Sequence, residues 1–315
     1  MPAHRTAPLD GVLFFPVTPF AADGRLNETA LETHVSRGVG KGPGGVFAAC
    51  GTGEFHALDL DEYEQVVRIA VAATAGRVPV YAGTGGALPL ARRYAEAAAR
   101  AGADGLLLLP PYLVTAPPAG IADYVEEVAT ASPLPLIVYQ RNNARFTPET
   151  AAALARLPNV VGFKDGIGDM DAMQRIILAV AEVERQRPFQ FFNGLPTAEM
   201  TQLAYAAIGV PLYSSAVFCF APEISLAFYR AVRDGDRNAA QRLLAGFYRP
   251  LVELRNRVPG YAVSLVKAAV TMSGIEAGPV RAPLVQPTRE DLAELERIVA
   301  AGRALAAEAD VSRAA

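Results

Sequence analysis

Three apolar runs in this chain end in groups that can do covalent chemistry on a carbonyl. Val160-Val161-Gly162-Phe163-Lys164-Asp165 delivers an amine at the mouth of an otherwise apolar segment. A lysine is rarely placed there without a partner or a task. Burial disfavours its charged form, and the free amine is a nucleophile toward a ketone. Pro135-Leu136-Ile137-Val138-Tyr139-Gln140 brings a phenol that can move a proton beside that amine. Gly45-Val46-Phe47-Ala48-Ala49-Cys50 runs into Gly51-Thr52-Gly53-Glu54, a turn offering backbone N–H groups and a hydroxyl. Each has a plainer reading: Lys164 in a salt bridge with Asp165 or another carboxylate, Tyr139 as a core aromatic, the turn as an ordinary strand-to-helix connection. Amine, phenol and carboxylate cradle at three strand ends together point to a Schiff-base enzyme.

Other residues could join them. Arg141 would hang over the same mouth, where a guanidinium can bind a substrate carboxylate by a bidentate bond or pair with an acid on the rim. Asn193, Ser214 and Ser215 close two later apolar runs and could bind a polyhydroxy chain or satisfy neighbouring backbone groups. Cys50 has no histidine in a recognisable nucleophile arrangement and reads as buried packing. Gly83-Thr84-Gly85-Gly86 lacks the dinucleotide spacing and no P-loop lysine follows, so close packing at a rim is expected of it. His4 and His34 have no evident partners.

These groups need a scaffold that brings strand ends to one face. Candidate strands are 12–17, 45–50, 78–82, 104–109, 135–140, 160–164, 189–193 and 211–216, with helical patterns at 61–75, 88–101, 119–131, 148–156, 169–186 and 196–207. Several strands are apolar without alternation, Leu106-Leu107-Leu108-Leu109 most plainly, which fits a parallel sheet covered on both faces. Pro148 falls at a first helical turn, and Gly76 and Gly102 fall where helices should stop. Eight strands alternating with helices predict an α/β fold, a closed (β/α)8 TIM barrel, with an open doubly wound sheet as the alternative. Residues 222–310 read as helix only, broken at Pro259-Gly260 and from Pro279 to Pro287. The boundaries are therefore 1–221 for the strands and most helices and 222–315 for the last barrel helix and a C-terminal helical extension. Both belong to one unit, the extension packing on the barrel or at a subunit contact.

Composition agrees. The 315 residues suffice for one barrel with additions, since such barrels commonly run to about 250 residues. Hydrophobic residues make up 51%, enough for a large core. Basic and acidic residues nearly balance, 29 against 32, and no basic patch could track a phosphate backbone, so nucleic acid is not an expected partner. Cys50 and Cys219 make no disulfide framework, and no Cys/His cluster has zinc-site spacing, so no metal site is expected. No apolar stretch is long enough to span a bilayer and Met1-Pro2-Ala3-His4-Arg5 lacks a signal core, which predicts no membrane partner and a cytoplasmic location.

The segment Gly11 to Phe20 with Pro16-Val17-Thr18-Pro19-Phe20, the Gly51-Thr52-Gly53-Glu54 turn, Tyr139 and Gly162-Phe163-Lys164-Asp165 resemble the dihydrodipicolinate synthase/N-acetylneuraminate lyase family over roughly residues 11–300. The resemblance implies a lysine-dependent (β/α)8 barrel that assembles as a homo-oligomer, dimer or tetramer. It makes Lys164 the Schiff-base lysine, Tyr139 the proton-relay tyrosine and Thr52, with Gly51 and Gly53, part of the carboxylate-binding turn. Two departures from the synthases stand out. Gly51 replaces the first of two threonines, and Pro111-Tyr112-Leu113 keeps one of two tyrosines, so their intersubunit proton relay is not implied here. Tyr139 to Ala144, Gly162 to Asp169 and Phe192-Asn193-Gly194-Leu195-Pro196 instead resemble the family's 5-dehydro-4-deoxyglucarate dehydratase subgroup. That implies a keto-deoxy sugar diacid as substrate and a lysine imine as the only electron sink, with no cofactor. A pyruvate-dependent aldolase on the same barrel is the nearest other reading, and a non-catalytic sugar-acid sensor a more distant one.

Overall fold

Eight short strands pair side by side in sequence order and close on themselves. They are β1 (Leu13–Phe14), β2 (Gly45–Ala48), β3 (Val80–Thr84), β4 (Gly105–Leu108), β5 (Leu136–Gln140), β6 (Val160–Asp165), β7 (Gln190–Asn193) and β8 (Leu212–Ser215). A computed structural model describes residues 8–314, and every neighbouring pair in it is parallel, β8 returning to β1. His4 lies outside the described residues. All residues of β2, β3, β4 and β5 are buried, because the barrel interior covers one face and the helices the other. The expected TIM barrel is therefore what the chain forms.

The helices of the barrel are α1 (Glu28–Val39), α2 (Leu60–Thr74), α3 (Leu88–Ala101), α4 (Pro118–Thr130), α5 (Pro148–Leu154), α6 (Met170–Ala181), α7 (Glu199–Ala207) and α8 (Pro222–Arg233). Three differences from the sequence reading have local causes. α1, absent from the expected elements, starts where the Asn27 side chain accepts a bond from the Ala30 N–H. α6 stops at Ala181 rather than 186, where the Val180 carbonyl is taken by the Glu182 and Val183 N–H groups and by the Arg185 guanidinium. α7 begins at Glu199 rather than 196, because Thr197 takes a positive φ of 52°. Gly83 behaves as expected of a close-packing glycine: a Cβ there would lie 2.3 Å from the Ala49 carbonyl oxygen.

Beyond α8 the chain continues as α9 (Arg237–Leu243), a π turn at Leu244–Tyr248, α10 (Arg249–Arg255), α11 (Tyr261–Met272) and α12 (Arg289–Ala314). Leu265, Val266, Val270, Leu295 and Val299 from α11 and α12 are buried in the same apolar cluster as the barrel helices. Asp291 fixes the start of α12, accepting from Tyr261 Oη at 2.8 Å, Thr288 Oγ1 at 2.7 Å and Arg257 Nη1 at 3.1 Å. Among the described residues no helix is long and apolar enough to cross a membrane.

Candidate active site

Strand register decides which residues face the barrel interior. Tyr139 pairs with Lys164 and Lys164 with Phe192, so these three side chains share one face. Gln140, Asp165 and Asn193 occupy the next positions on the same strands and point outward, to the helix layer. Lys164 is thereby separated from its neighbour Asp165. The Asp165 carboxylate accepts from Gln140 Nε2 and the Ile167 N–H, both at 2.9 Å, from the Gly168 N–H at 3.2 Å, and from the Tyr205 hydroxyl. The alternative reading of a Lys164–Asp165 salt bridge is thus overturned, and no ion pair of Lys164 is found among the described residues.

Lys164 is 4% exposed. Its Nζ stands 4.2 Å from the centroid of the Phe15 ring and 4.7 Å from that of Tyr139. Burial brings its pKa down from 10.5 to about 7, and the nearby Arg141 guanidinium pushes the same way. Cys50 offers no counter-charge at neutral pH, because its own burial holds the thiol up at about 12. Near pH 7 a substantial fraction of Lys164 is therefore the free amine that attacks carbonyls.

Tyr139 is also buried, and its hydroxyl donates to the Gly194 carbonyl at 2.6 Å. Arg141 Nη1 stands 3.5 Å from that hydroxyl oxygen. Burial raises the phenol's pKa above its ordinary value and Arg141 opposes the rise, so at neutral pH Tyr139 is a proton donor. Gly194 must be glycine for this arrangement. A Cβ on it would lie 2.7 Å from both the Lys164 Cγ and the Tyr139 ring.

A cavity of about 250 Å³ opens at the C-terminal ends of the strands, where barrel enzymes place their chemistry. Lys164, Tyr139, Arg141, Thr52, Gly51 and Ser214 all line it. Thr52 has no hydrogen-bond partner among the described residues, leaving its N–H and hydroxyl for a ligand. Ser214 faces inward in register with Leu13. Ser215, one position on, faces outward and donates to Glu199 Oε1 at 2.5 Å.

Two of the residues expected to contact a ligand, Asn193 and Gly53, are not brought to the cavity. Asn193 is fully buried and committed to its own loop. Its Nδ2 donates to the Ala198 carbonyl at 3.0 Å, Thr201 Oγ1 at 3.0 Å and Gln202 Oε1 at 3.1 Å, while Oδ1 accepts from the Leu195 N–H at 3.1 Å. Gly53 does not line the cavity. Its carbonyl accepts from Thr18 Oγ1 at 2.7 Å, and a Cβ on it would crowd the Pro16 carbonyl oxygen at 3.2 Å. His34, which had no evident partner, accepts from the Val17 N–H through Nε2 at 3.3 Å, and burial lowers its pKa to about 3.

The structure adds lining residues that sequence reasoning gave no role. Phe15 supplies the apolar wall beside the amine. The Gly194 carbonyl accepts the hydrogen bond of the Tyr139 hydroxyl, and a glycine immediately after a strand was a signal of close approach. Arg255 of α10, half-buried, donates to Thr197 Oγ1 at 2.6 Å, and Tyr261 and Leu295 complete the wall from the C-terminal helices. Among the described residues no group of three or more His, Cys, Asp and Glu could hold a metal ion.

A family profile described as "Dihydrodipicolinate synthetase family" matches residues 8–302. The chain belongs to that family. It is 57% identical over 306 residues to "Probable 5-dehydro-4-deoxyglucarate dehydratase 1" of Streptomyces coelicolor, covering 97% of this chain and 96% of that one. It is 47% identical over 290 residues to "Probable 5-dehydro-4-deoxyglucarate dehydratase" of Bradyrhizobium diazoefficiens, covering 92% and 91%. Among solved structures, the dihydrodipicolinate synthase from Bacillus clausii superposes with a TM-score of 0.83 at 27% identity, covering 94% of this chain and 98% of that one.

Proposed function

We propose that this protein is a decarboxylating hydro-lyase that converts 5-dehydro-4-deoxy-D-glucarate to 2,5-dioxopentanoate, carbon dioxide and water through an imine on Lys164. The observation that carries the reading is the buried amine of Lys164, free of any carboxylate, depressed to about 7 and set beside a buried phenol at the mouth of the barrel. The names of the relatives quoted above support the choice of substrate.

Lys164 adds to the ketone and water leaves, giving an iminium. That cation withdraws electrons from the adjacent methylene, and a proton comes off as an enamine forms. Tyr139 moves protons in imine formation and abstraction, its hydroxyl exchanging the Gly194 carbonyl for substrate, with Thr52 or the substrate's proximal carboxylate as relay. Expulsion of the β-hydroxyl as water leaves an iminium conjugated with a carbon–carbon double bond. This longer sink reaches the carbon bearing the distal carboxylate, which leaves as carbon dioxide. Hydrolysis and tautomerisation release the semialdehyde. One lysine is the electron sink for both bond cleavages, so the route calls on no cofactor.

For binding, the unpartnered N–H and hydroxyl of Thr52 hold the carboxylate next to the ketone, Arg141 the distal one, and Ser214 a chain hydroxyl. The fully exposed Leu113, flanked by Tyr112 and Val114 in the loop after β4, supports assembly as a homo-oligomer. Borohydride reduction in the presence of the keto diacid should add the substrate's mass at Lys164. Untrapped, the same substrate should give equal amounts of carbon dioxide and semialdehyde. Trapping without either product, together with condensation of pyruvate and an aldehyde, would make the protein an aldolase.

A further inference from the structure

The Pro16–Phe20 motif and the glutamate of the Gly51-Thr52-Gly53-Glu54 turn take no part in the chemistry above, yet the fold ties them together. Glu54 is fully buried and adopts a left-handed φ of 55°, unfavourable for a residue with a side chain. Its Oε1 accepts from Lys267 Nζ of α11 at 2.6 Å and its Oε2 from the Arg281 N–H at 2.8 Å. The two ionic side chains are 1% and 0% exposed. Lys267 also donates to the Pro279 carbonyl at 2.7 Å. The Phe20 ring carries both cations, with Lys267 Nζ 4.1 Å and the Arg281 guanidinium carbon 3.9 Å from its centroid. Arg281 in turn forks onto Glu62 at 2.5 and 2.6 Å. Thr18 of the same motif holds the Gly53 carbonyl.

A buried ion pair is a poor source of stability, since desolvation consumes most of the attraction and well-packed apolar residues do as well. What such a pair supplies is a fixed geometry, and here the fixed element is the turn that carries Thr52. Gly53 and Glu54 are pinned immediately after a residue whose own polar groups are left open.

We propose that Lys267 and Glu54 are positioning residues. Their buried pair, braced by Phe20 and Arg281, sets the turn so that Thr52 presents its N–H and hydroxyl to the carboxylate beside the reacting ketone. The proposal rests on the reading that this turn binds that carboxylate.

The test compares two ketones that form the imine with Lys164, pyruvate with a carboxylate and acetone without one. In the full-length protein, Lys267→Met should raise the pyruvate concentration for half-maximal borohydride trapping on the order of tenfold, the worth of one charge-assisted hydrogen bond. The acetone concentration should stay unchanged, and saturating pyruvate should still trap Lys164 fully. An equal loss for both ketones, or no loss for either, overturns the proposal. If the unpaired Glu54 prevents folding, the double substitution Glu54→Gln/Lys267→Met removes both charges and the same comparison decides. Thr52→Val separates the two layers. If it leaves the pyruvate-to-acetone ratio untouched, the carboxylate reading fails. If it raises that ratio of half-maximal concentrations and the Lys267 variants do not, only the positioning role fails.

Discussion

Burying a lysine amine costs stability, and for Lys164 the cost can be measured. Replacing Lys164 by methionine keeps a linear side chain and removes the ionisable amine. In the folded protein the amine titrates near 7, against 10.5 for an unhindered lysine. Between these values the unfolded chain binds a proton that the native protein does not, so stability rises with pH across the window. Below about pH 7 the native state must carry a buried ammonium, and above about 10.5 the penalty is gone. The drop in pKa corresponds to a penalty on the order of 5 kcal/mol at pH 6, shrinking to about 2 kcal/mol at pH 9.

Lys164→Met should therefore abolish turnover and raise the stability of the fold, more at pH 6 than at pH 9. Urea unfolding of both proteins at the two pH values gives the comparison. The difference between the two gains is the sharper quantity, because any change in packing against Phe15 and Tyr139 cancels from it. About 2–3 kcal/mol is expected for that difference. A gain independent of pH, or a loss confined to pH 6, would mean that the ammonium is well solvated or paired, and the argument for a poised nucleophile would fall.

The rate of imine trapping with pyruvate should climb as pH rises through about 7 and then level, since only the free amine reacts; an inflection near 10 would contradict the depressed pKa. Tyr139→Phe should lower the maximal rate about a hundredfold or more while changing half-saturation little, as expected for loss of a general acid–base group, read from steady-state kinetics. Arg141→Met should weaken binding of the diacid roughly ten- to a hundredfold and leave pyruvate trapping intact, because only the diacid has a distal carboxylate; equal losses would place Arg141 at the proximal one. Asn193→Ala should cost about 1–3 kcal/mol in unfolding experiments with half-saturation unchanged, since its amide serves the β7–α7 loop.

The catalytic candidates were legible because their chemistry is unusual for their position. An amine closing an apolar strand, a phenol closing another and a glycine turn closing a third each have a plainer reading alone; it is their coincidence that points to chemistry, and a parallel barrel gathers strand ends by construction. Outward-facing residues were harder to read. Asn193 and Lys164 both lie near strand ends, and sequence position alone does not say which face each takes. Register does, and it is set by pairing between strands far apart in the chain. The same alternation separates Lys164 from Asp165, making one a nucleophile candidate and the other a brace for the β6–α6 loop.

The C-terminal helices show the other limit. Their sequence reads as helix interrupted by prolines, and nothing local in it distinguishes a passive appendage from a wall of the site. The contacts that decide are long-range: Lys267 reaches Glu54, Arg281 caps the same carboxylate, Arg255 holds Thr197, and Tyr261 and Leu295 line the cavity. A lysine buried in α11 is as improbable by composition as one at the end of β6, and the two are depressed by the same cause, to about 8 and about 7. Their surroundings divide the roles. Lys267 has a carboxylate at 2.6 Å that keeps its amine occupied, while Lys164 faces aromatic rings and an open cavity. What makes Lys164 the candidate nucleophile is thus the missing acid partner as much as burial, since burial alone nominates Lys267 equally well.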